Sequence, residues 1–407
     1  MERDMKMRIE FVRKLCVKNA LKKFSVSSAL ILLIFAACAV APASAAGGIF
    51  TVYMAPADAG GSDFNDGLST ATPVATLAEV QKVLTDARPD SDVEVRIRQG
   101  VYEAPPLGSW TFYVPGHTVS FLPIDYVYGA GGGSIAGLPV FRNKQNSDGT
   151  YPNGPWLIAR VGGALPNGGD SRLRFYYLQV EKYSDGLSVA GLPYGEDTDG
   201  GNPAYYAKNT AGLNRNVVFG MYFLNIGTYW TGNDTGSGYG AIVLSNSSNN
   251  LIENSHFIRV ENQAGQRAQL LHGVYLGHFS DNNSIKRNRF YFNSGAPVKV
   301  RDRSNFNAFD SNTFERAGAT EFYADDVCDP ECQARFPEIA RALECAGYHN
   351  SFINNRLISA YQGGMPERVW RMFPWRRTDD ESQHYAGDPA RCTLPANEVR
   401  LYVSGNL

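Results

Sequence analysis

The sequence predicts an all-β solenoid, a fold in which short coils of chain stack along one axis. The first observation is a repeat of an Asn, any residue, an apolar residue, four variable residues, and then Phe or Leu. A unit of this size cannot bury a core of its own, so its copies must stack on one another. The five copies begin at Asn216, Asn250, Asn283, Asn307 and Asn350.

The second observation is the spacing of these repeats. Successive Asn residues are 34, 33, 24 and 43 residues apart. A bare solenoid coil takes roughly twenty-odd residues, so the 24-residue coil is nearly minimal and the others carry insertions. The largest insertion spans residues 319–348 and is rich in Cys. We interpret the Asn column itself as an internal ladder of side-chain amides, which removes it from the catalytic candidates.

The bulk composition fits one large folded unit. The chain has 407 residues, of which 43% are hydrophobic and 19% are charged, enough to build a sizeable core. The formal net charge is -2, which argues against a general nucleic-acid binder because such proteins carry a basic excess. We therefore expect no nucleic-acid partner, and we expect a monomer.

Residues 1–45 have the pattern of a secretory signal peptide. A basic segment precedes the apolar run 29–40, and Ala43-Ser44-Ala45 fits a small-x-small cleavage site. The apolar run is too short for a comfortable membrane span. We expect a secreted or periplasmic protein without a membrane span, whose mature chain starts near Ala46. A lipoprotein anchored through Cys38 is the alternative.

A helix is predicted near the start of the mature chain. Thr76 and Glu79 have the spacing of a capping box. Leu77, Val80 and Leu84 recur on one helical face. Such a helix would cover the open end of a solenoid and hide its edge groups.

The loop before this helix carries oxygen-bearing side chains at close spacing, namely Asp63, Asn65 and Asp66. Oxygen ligands suit Ca²⁺, so one hypothesis is a calcium site. The alternative is a turn in which these side chains bond their own backbone. We predict no other cofactor.

This N-terminal region resembles a known family. The stretch Gly60-Gly61-Ser62-Asp63-Phe64-Asn65-Asp66-Gly67-Leu68-Ser69, with Pro73 and Thr76-Leu77 after it, resembles the N-terminal cap of secreted proteins in the pectate-lyase-like superfamily. The resemblance implies a right-handed parallel β-helix with an N-terminal capping helix. Residues 46–105 would then form the cap and first coil, 106–365 the β-helix with its insertion, and 366–407 a C-terminal cap.

Four Cys residues follow the signal segment, namely Cys328, Cys332, Cys345 and Cys392. An even number in an oxidising compartment favours two disulfides, which would staple the insertion. The spacing does not choose among the three pairings. A zinc site is the competing hypothesis, because Cys328, Cys332, Cys345 and His349 have finger-like spacing.

The third observation comes from counting back from each Asn to the strand before it. Side chains alternate along a strand, so the aligned columns alternate between inside and outside. The columns expected to point inward are Val243, Leu276, Val300 and Ala241, Val274, Val298. Two columns are expected to point outward: one holds Ile242, Tyr275 and Lys299, and the other holds Leu244, Gly277 and Arg301. One position further along, Ser245, His278 and Asp302 align.

The outward columns bring together side chains that suit β-elimination on a uronic acid. In that reaction a cation neutralises the carboxylate, a basic side chain removes the C5 proton, and a Tyr protonates the leaving oxygen. A solvated charge cluster without function is the alternative. The catalytic candidates are Arg301, Lys299, Tyr275, His278 and Asp302, and Arg303 is a candidate for substrate binding.

Two coils here resemble the alginate lyase and chondroitinase B family of polysaccharide lyases, on the residues Ser280-Asp281-Asn282-Asn283 and Val298-Lys299-Val300-Arg301. The resemblance implies that Arg301 stands at the family's catalytic Arg. The family's catalytic Lys would fall near His278-Phe279, where this sequence departs from the pattern. Either His278 replaces that Lys, Lys299 serves from the neighbouring column, or lyase chemistry is absent.

Two other functions remain open. A glycoside hydrolase needs two carboxylates beside the scissile bond, and the candidates are Asp302, Asp310, Glu315, Asp325 and Asp326. A non-catalytic carbohydrate-binding solenoid would use exposed aromatic rings, and the candidates are Tyr229, Trp230, Trp370, Phe373 and Trp375. The last three would otherwise belong to the C-terminal cap. The favoured function is a secreted lyase acting on an anionic polysaccharide.

Overall fold

The computed structural model describes residues 48–130, 132, 135–191, 212–232, 238–263, 266–318, 321–326, 347–361 and 401–407. Within these residues, parallel strands form three long sheets of ten, eight and seven strands, and a fourth sheet of two. Each complete coil contributes one strand to each long sheet, so the chain winds as a parallel β-helix. The predicted signal peptide, the four Cys residues after it, Trp370, Phe373 and Trp375 lie outside the described residues.

The ten-stranded sheet consists of β1 (Phe50–Met54), β2 (Val93–Ile97), β5 (Val119–Pro123), β9 (Leu173–Tyr176), β13 (Val217–Phe219), β16 (Leu251–Glu253), β19 (Ser284–Lys286), β22 (Ala308–Asp310), β25 (Asn350–Ile353) and β27 (Leu401–Ser404). The eight-stranded sheet consists of β3 (Gly100–Ala104), β6 (Pro139–Asn143), β10 (Gln179–Glu181), β14 (Tyr222–Ile226), β17 (His256–Val260), β20 (Arg289–Asn293), β23 (Thr313–Ala317) and β26 (Arg356–Leu357).

The seven-stranded sheet consists of β4 (Leu107–Trp110), β7 (Pro155–Arg160), β11 (Asp185–Ala190), β15 (Gly240–Ser245), β18 (His272–Gly277), β21 (Val298–Arg301) and β24 (Tyr323–Asp326). The short sheet pairs β8 (Gly169–Asp170) with β12 (Leu213–Asn214). The α-helices are α1 (Leu77–Ala87) and α2 (Thr228–Thr231), and 3-10 turns span Ala57–Ala59 and Gln266–Leu270. None of the described helices has the length and hydropathy needed to cross a membrane.

Helix α1 begins where the sequence predicts. The Thr76 hydroxyl accepts a hydrogen bond from the Glu79 backbone N–H at 3.1 Å, which satisfies one of the unpaired donors of the first turn. The Glu79 carboxylate does not complete the capping box, because the Thr76 N–H donates to Asp63 at 3.0 Å, and Glu79 pairs with Lys82 at 2.7 Å. The helix buries its apolar face in the main core and contacts β1 and β4. Its role in closing the solenoid stays a prediction.

A column of stacked aromatic rings fills the middle of the core. Phe223, Phe257, Phe290 and Phe314 are fully buried on successive strands of the eight-stranded sheet. Their ring centroids are 5.4, 4.7 and 4.8 Å apart, and the rings are within 10° of parallel. These are the Phe positions of the sequence repeat, so the repeat period is the period of the stack.

The predicted Asn ladder is confirmed. The repeat Asn side chains are buried, and from Asn250 onward each Oδ1 accepts hydrogen bonds from the backbone N–H and the side-chain Nδ2 of the Asn one coil earlier. The donor–acceptor distances are 2.7–3.1 Å. The ladder satisfies backbone donors at a buried turn, where an unpaired group would be costly.

A second ladder runs five residues after the first. It consists of Ser255, Asn288, Asn312, Asn355 and Asn406. The side-chain oxygen of each Asn accepts a hydrogen bond from the backbone N–H of the ladder residue one coil earlier. The sequence analysis missed this ladder although its signal is present. Three of its Asn residues lie five positions after a repeat Asn.

The predicted register holds between β18 and β21 and is wrong for β15. Tyr275 pairs with Lys299 as predicted, but the residue opposite Tyr275 on β15 is Val243. Ile242 and Leu244, which the alignment placed outside, are buried, and Ser245 pairs with Gly277 and not with His278.

The physical reason for this slip lies in the turns after the strands. Two successive left-handed residues follow β18, namely His278 and Phe279, and two follow β21, Asp302 and Arg303. A single left-handed residue, Asn246, occupies the corresponding turn after β15. The turns after β18 and β21 are therefore one residue longer, and a count that starts at the Asn misses this difference. A slip of one residue exchanges the two faces of a strand.

Candidate functional site

The outer face of the seven-stranded sheet carries a cluster of three predicted residues. Tyr275 on β18 lies directly beside Lys299 on β21. Arg301 lies two residues beyond Lys299, so it shares the outer face. Its Nη1 donates to the Tyr275 hydroxyl at 3.4 Å. We call these three residues the Tyr275–Lys299–Arg301 patch.

The Tyr275 ring is held in place by its own strand. It lies over Gly277, where an added Cβ would already touch the ring at 3.4 Å. The His272 ring is nearly parallel to it, with centroids 5.7 Å apart. His272 is buried, and its Nδ1 is 2.7 Å from the carbonyl oxygen of Ala296. Only 7% of Tyr275 is exposed, so its hydroxyl has a fixed position beside Arg301.

A buried ionic cluster lies at the end of the same strands. The His278 Nδ1 is 2.9 Å from one oxygen of Asp302, and Nη1 of Arg303 is 2.5 Å from the other. The side chains of His278 and Asp302 are 6% and 1% exposed. Because Asp302 accepts from Arg303 as a carboxylate, we assign the proton on His278 to Nδ1.

The structure brings the five predicted catalytic residues together on the seven-stranded sheet and the turns that follow it. The environment of Arg303, however, differs from the one expected of a substrate-binding residue. Its guanidinium pairs with Asp302 and lies over the Phe279 ring, with Cζ 5.4 Å from the centroid. The side chain is 11% exposed. Arg303 therefore packs against the turn residues Asp302 and Phe279. Its role in substrate binding stays a prediction.

Tyr229 and Trp230 lie in α2, before β15, at the opposite end of the strands from His278. A six-residue strand spans about 20 Å, so these rings are not part of the Tyr275–Lys299–Arg301 patch. Tyr229 is 58% exposed. Trp230 has Lys182 Nζ at 5.3 Å and Arg259 Cζ at 5.4 Å over its ring. Tyr229 is thus the ring of this pair that faces solvent.

Two of the predicted hydrolase carboxylates, Asp310 and Glu315, lie on sheets other than the one that ends at Asp302. Asp310 lies on the ten-stranded sheet and Glu315 on the eight-stranded sheet, where it pairs with Arg289 at 2.9 Å. Asp325 pairs in register with Val300, in the column that points into the β-helix. Asp326 pairs in register with Arg301, but its side chain lies outside the description.

The loop predicted to bind calcium uses its side chains for its own backbone. Asp63 accepts from the N–H groups of Ala75 and Thr76, both at 3.0 Å. Asp66 accepts from Leu68 N–H and from the Thr72 hydroxyl, and these hydrogen bonds lower its pKa. Asn65 donates to the Pro73 carbonyl at 2.8 Å.

These contacts are those of the alternative hypothesis, an Asx-rich turn. Across the described residues, no group of three or more His, Cys, Asp or Glu side chains has the geometry of a metal site.

The sequence analysis missed Glu261, a buried carboxyl at the corner beside α2. Its Oε1 accepts from the Tyr361 hydroxyl at 2.9 Å, and its carbonyl accepts from the Tyr229 N–H. Burial raises the pKa of Glu261, and burial also raises the pKa of Tyr361 to about 12. Glu261 lies outside the repeat, so nothing in the sequence pattern distinguishes it from a surface Glu.

Comparisons with known proteins identify the fold. Residues 209–333 match the family model described as right handed beta helix region. No curated protein matches the chain in sequence.

Two solved structures of similar fold are lyases. The alginate lyase from Paenibacillus sp. str. FPU-7 is 15% identical, with 70% of this chain and 85% of that chain covered and a TM-score of 0.40. Pectate lyase Pel9A is 12% identical, with 78% and 64% covered and a TM-score of 0.41. This chain thus spans just under two thirds of the length of Pel9A.

The chain winds as a parallel β-helix, as its sequence predicted, and its residues 209–333 match the right-handed form.

Proposed function

We propose that this protein is a polysaccharide lyase that cleaves a uronic-acid-containing polymer by β-elimination. The observation that carries the proposal is the contact between Arg301 and the Tyr275 hydroxyl, with Lys299 in register beside Tyr275. It combines a cation, a second cation and a proton-bearing group on one outer face. This is the set of groups that elimination on a uronate requires.

Each step of the reaction has a residue to perform it. Arg301 and Lys299 neutralise the uronate carboxylate, which makes the C5 proton more acidic and stabilises the charge that develops when it leaves. The imidazole of His278 removes that proton. The electron pair forms the C4–C5 double bond, the bond from C4 to the glycosidic oxygen breaks, and Tyr275 protonates the departing oxygen. Asp302 orients His278 through Nδ1.

The charges of the patch also favour an anionic polymer. Lys299 and Arg301 lie on the surface over which the chain of sugars would pass, whereas Asp302 is buried and paired with His278 and Arg303. A positively charged strip attracts uronates before any specific contact forms. The exposed Tyr229, at the far end of the strands, could stack against a sugar several units away.

Glycoside hydrolysis is the second candidate, and Glu261 is the observation that favours it. A carboxyl whose pKa is raised by burial keeps its proton to higher pH, which is the property of a general acid. The Glu261 carbonyl also accepts from the backbone N–H of Tyr229, whose ring is exposed. The described residues do not supply an evident carboxylate partner for it, so β-elimination is the better supported reaction.

An incubation of the protein with alginate, polygalacturonate, hyaluronan and chondroitin separates the two reactions. β-Elimination creates an unsaturated uronate, so the proposal predicts new ultraviolet absorbance on at least one polymer. Release of reducing ends without that absorbance would replace the lyase by a hydrolase. Neither signal on any of these uronates would reject both activities on them and leave a binding function.

A further inference from the structure

We infer that a second carbohydrate site, selective for a neutral sugar, lies on the outer face of the eight-stranded sheet. It is a cleft of about 350 Å³ at the corner that leads into the seven-stranded sheet, on coils that precede the Tyr275–Lys299–Arg301 patch. The inference does not depend on lyase activity. The residues that line it include Glu103, Arg142, Asn143, Tyr151, Glu181 and Lys182.

The floor of this neutral-sugar cleft is a row of alternating charges. Glu103, Arg142 and Glu181 are register partners on β3, β6 and β10. Arg142 Nε donates to Glu181 at 2.5 Å, and Gln179 donates to the other Glu181 oxygen at 2.7 Å. The pairing fixes the planar groups in orientation, so their remaining donors and acceptors face the cleft in a set arrangement.

A buried amide oxygen in the lining points to a ligand. Asn143 is fully buried, and its Nδ2 donates to the Pro152 carbonyl at 2.8 Å. Its Oδ1 has no hydrogen-bond partner among the described residues. The same is true of the Oδ1 of Asn225, which also lines the cleft. Buried acceptors are rarely left without a donor, and hydroxyl groups of a ligand would supply one.

The upper wall of the cleft is formed by Lys182 and Tyr151. The Lys182 Nζ lies 5.7 Å from the centroid of the Tyr151 ring and 5.3 Å from that of Trp230. The backbone of Lys182 is left-handed, and its N–H donates to the Asn225 carbonyl at 3.1 Å. The aromatic ring and the alkyl part of Lys182 offer an apolar surface beside the polar floor.

The balance of charge selects the ligand. Two carboxylates, Glu103 and Glu181, oppose two cations, Arg142 and Lys182, so the cleft has no excess of either sign. An anion would face the carboxylates, and an amine would face the cations. A neutral sugar presents many hydroxyl groups and an apolar ring face, which match the planar polar floor and the Tyr151 wall. The volume lies at the lower end for small-molecule sites, which suits a single sugar unit.

The test is calorimetric titration of the full chain with the methyl glycosides of glucose, galactose and mannose, and with sodium glucuronate and glucosamine as charged probes. We expect at least one neutral glycoside to bind with a dissociation constant in the millimolar range, as its size dictates. Failure of all three to bind, or tighter binding of a charged probe, would overturn the inference.

Variants locate the binding. Arg142→Gln and Glu103→Gln should each weaken it about tenfold or more. Arg142→Gln removes the pair with Glu181 and so could destabilise the sheet. Glu103 is exposed, so Glu103→Gln tests the binding without that loss. Arg289→Gln is the matched control, because Arg289 also pairs with a Glu on the outer face of this sheet. Equal weakening by the control, or no weakening by either cleft variant, would place the sugar elsewhere.

Discussion

The Tyr275 hydroxyl is the group on which the proposed chemistry depends most closely. It is nearly buried, its ring lies over Gly277 and beside His272, and it accepts from Arg301. A group held in this way loses little freedom when substrate binds, which is how an enzyme fixes a proton donor before the reaction.

Replacement of Tyr275 by Phe tests this role. Tyr275→Phe keeps the ring and its packing but removes the proton, so we expect kcat on a cleaved uronate polymer to fall by a factor of about 10² to 10⁴. KM and the thermal midpoint should change little. Tyr291→Phe is the control, since Tyr291 lies on the outer face of the eight-stranded sheet. Full activity in Tyr275→Phe would remove Tyr275 from the mechanism.

For single residues, the Tyr275–Lys299–Arg301 patch could be predicted from the sequence, but the side-chain contacts around it could not. Tyr275, Lys299 and Arg301 meet because strand alternation and the register between β18 and β21 are simple consequences of the repeat. The repeat also aligns His278 with Asp302, but the contact between their side chains depends on two left-handed turns, which no periodicity reveals. Asp325 points inward because β24 continues the same register, although it lies within the predicted insertion 319–348.

At the scale of single elements, the two amide ladders determine which coils can stack. Each rung bonds to the coil before and the coil after, so one side chain serves three turns of the β-helix. The aromatic stack supplies apolar contact, whereas the ladders satisfy buried polar groups. Both must keep the same period for the coils to align.

Removal of one rung tests this account. Asn283→Ala leaves the N–H and Nδ2 donors of Asn250 without their acceptor, so we expect a loss of about 2 to 4 kcal/mol in the free energy of unfolding, measured in urea. Ser284→Ala at the next residue, where the side chain is only partly buried, should cost less than about 0.5 kcal/mol. Equal losses in the two variants would show that the ladder hydrogen bonds add nothing to the free energy of unfolding beyond what a partly buried side chain adds.

The outer face of the eight-stranded sheet carries a group that makes stability depend on pH. His256 stacks on Tyr222 with centroids 4.3 Å apart, and burial, followed by the nearby charge of Arg289, lowers its pKa below 6.5. The unfolded chain therefore takes up this proton first as the pH falls. Its contribution to stability is complete above 6.5 and is lost as the pH drops through the lowered value.

His256→Phe keeps an aromatic ring on Tyr222 but cannot titrate. Between pH about 7.5 and about 5, we expect the free energy of unfolding to fall less in the variant than in the wild-type protein. Urea unfolding at the two pH values measures both. A larger fall in the variant would show that His256 is not the group responsible.

The element scale is also where sequence analysis went wrong. Counting from the Asn fixed the register of β18 and β21 because their turns have the same length. It failed for β15 because one fewer left-handed residue separates that strand from its Asn. Turn length varies with local backbone conformation, whereas the buried ladder tolerates no change, so the ladder is the dependable reference and the turns are not.

For the molecule as a whole, one regular scaffold supports two different surfaces. The seven-stranded sheet presents Lys299 and Arg301 next to Tyr275, and the eight-stranded sheet presents the charge-balanced cleft around Arg142. The fold could be predicted from the sequence because stacking is a property of the repeat. The cleft could not, because its residues come from coils that lack the repeat Asn and meet only at a corner.

The central claim is that the outer face around Arg301 performs β-elimination. The most direct measurement is the initial rate of ultraviolet absorbance on a uronate polymer for the wild-type protein, Arg301→Ala and Arg160→Ala. Arg160 is the matched control, because it occupies the same outward column four strands away. We predict a loss of about 10² to 10³ in rate for Arg301→Ala and wild-type activity for Arg160→Ala. A folded Arg301→Ala variant with full activity would contradict the account.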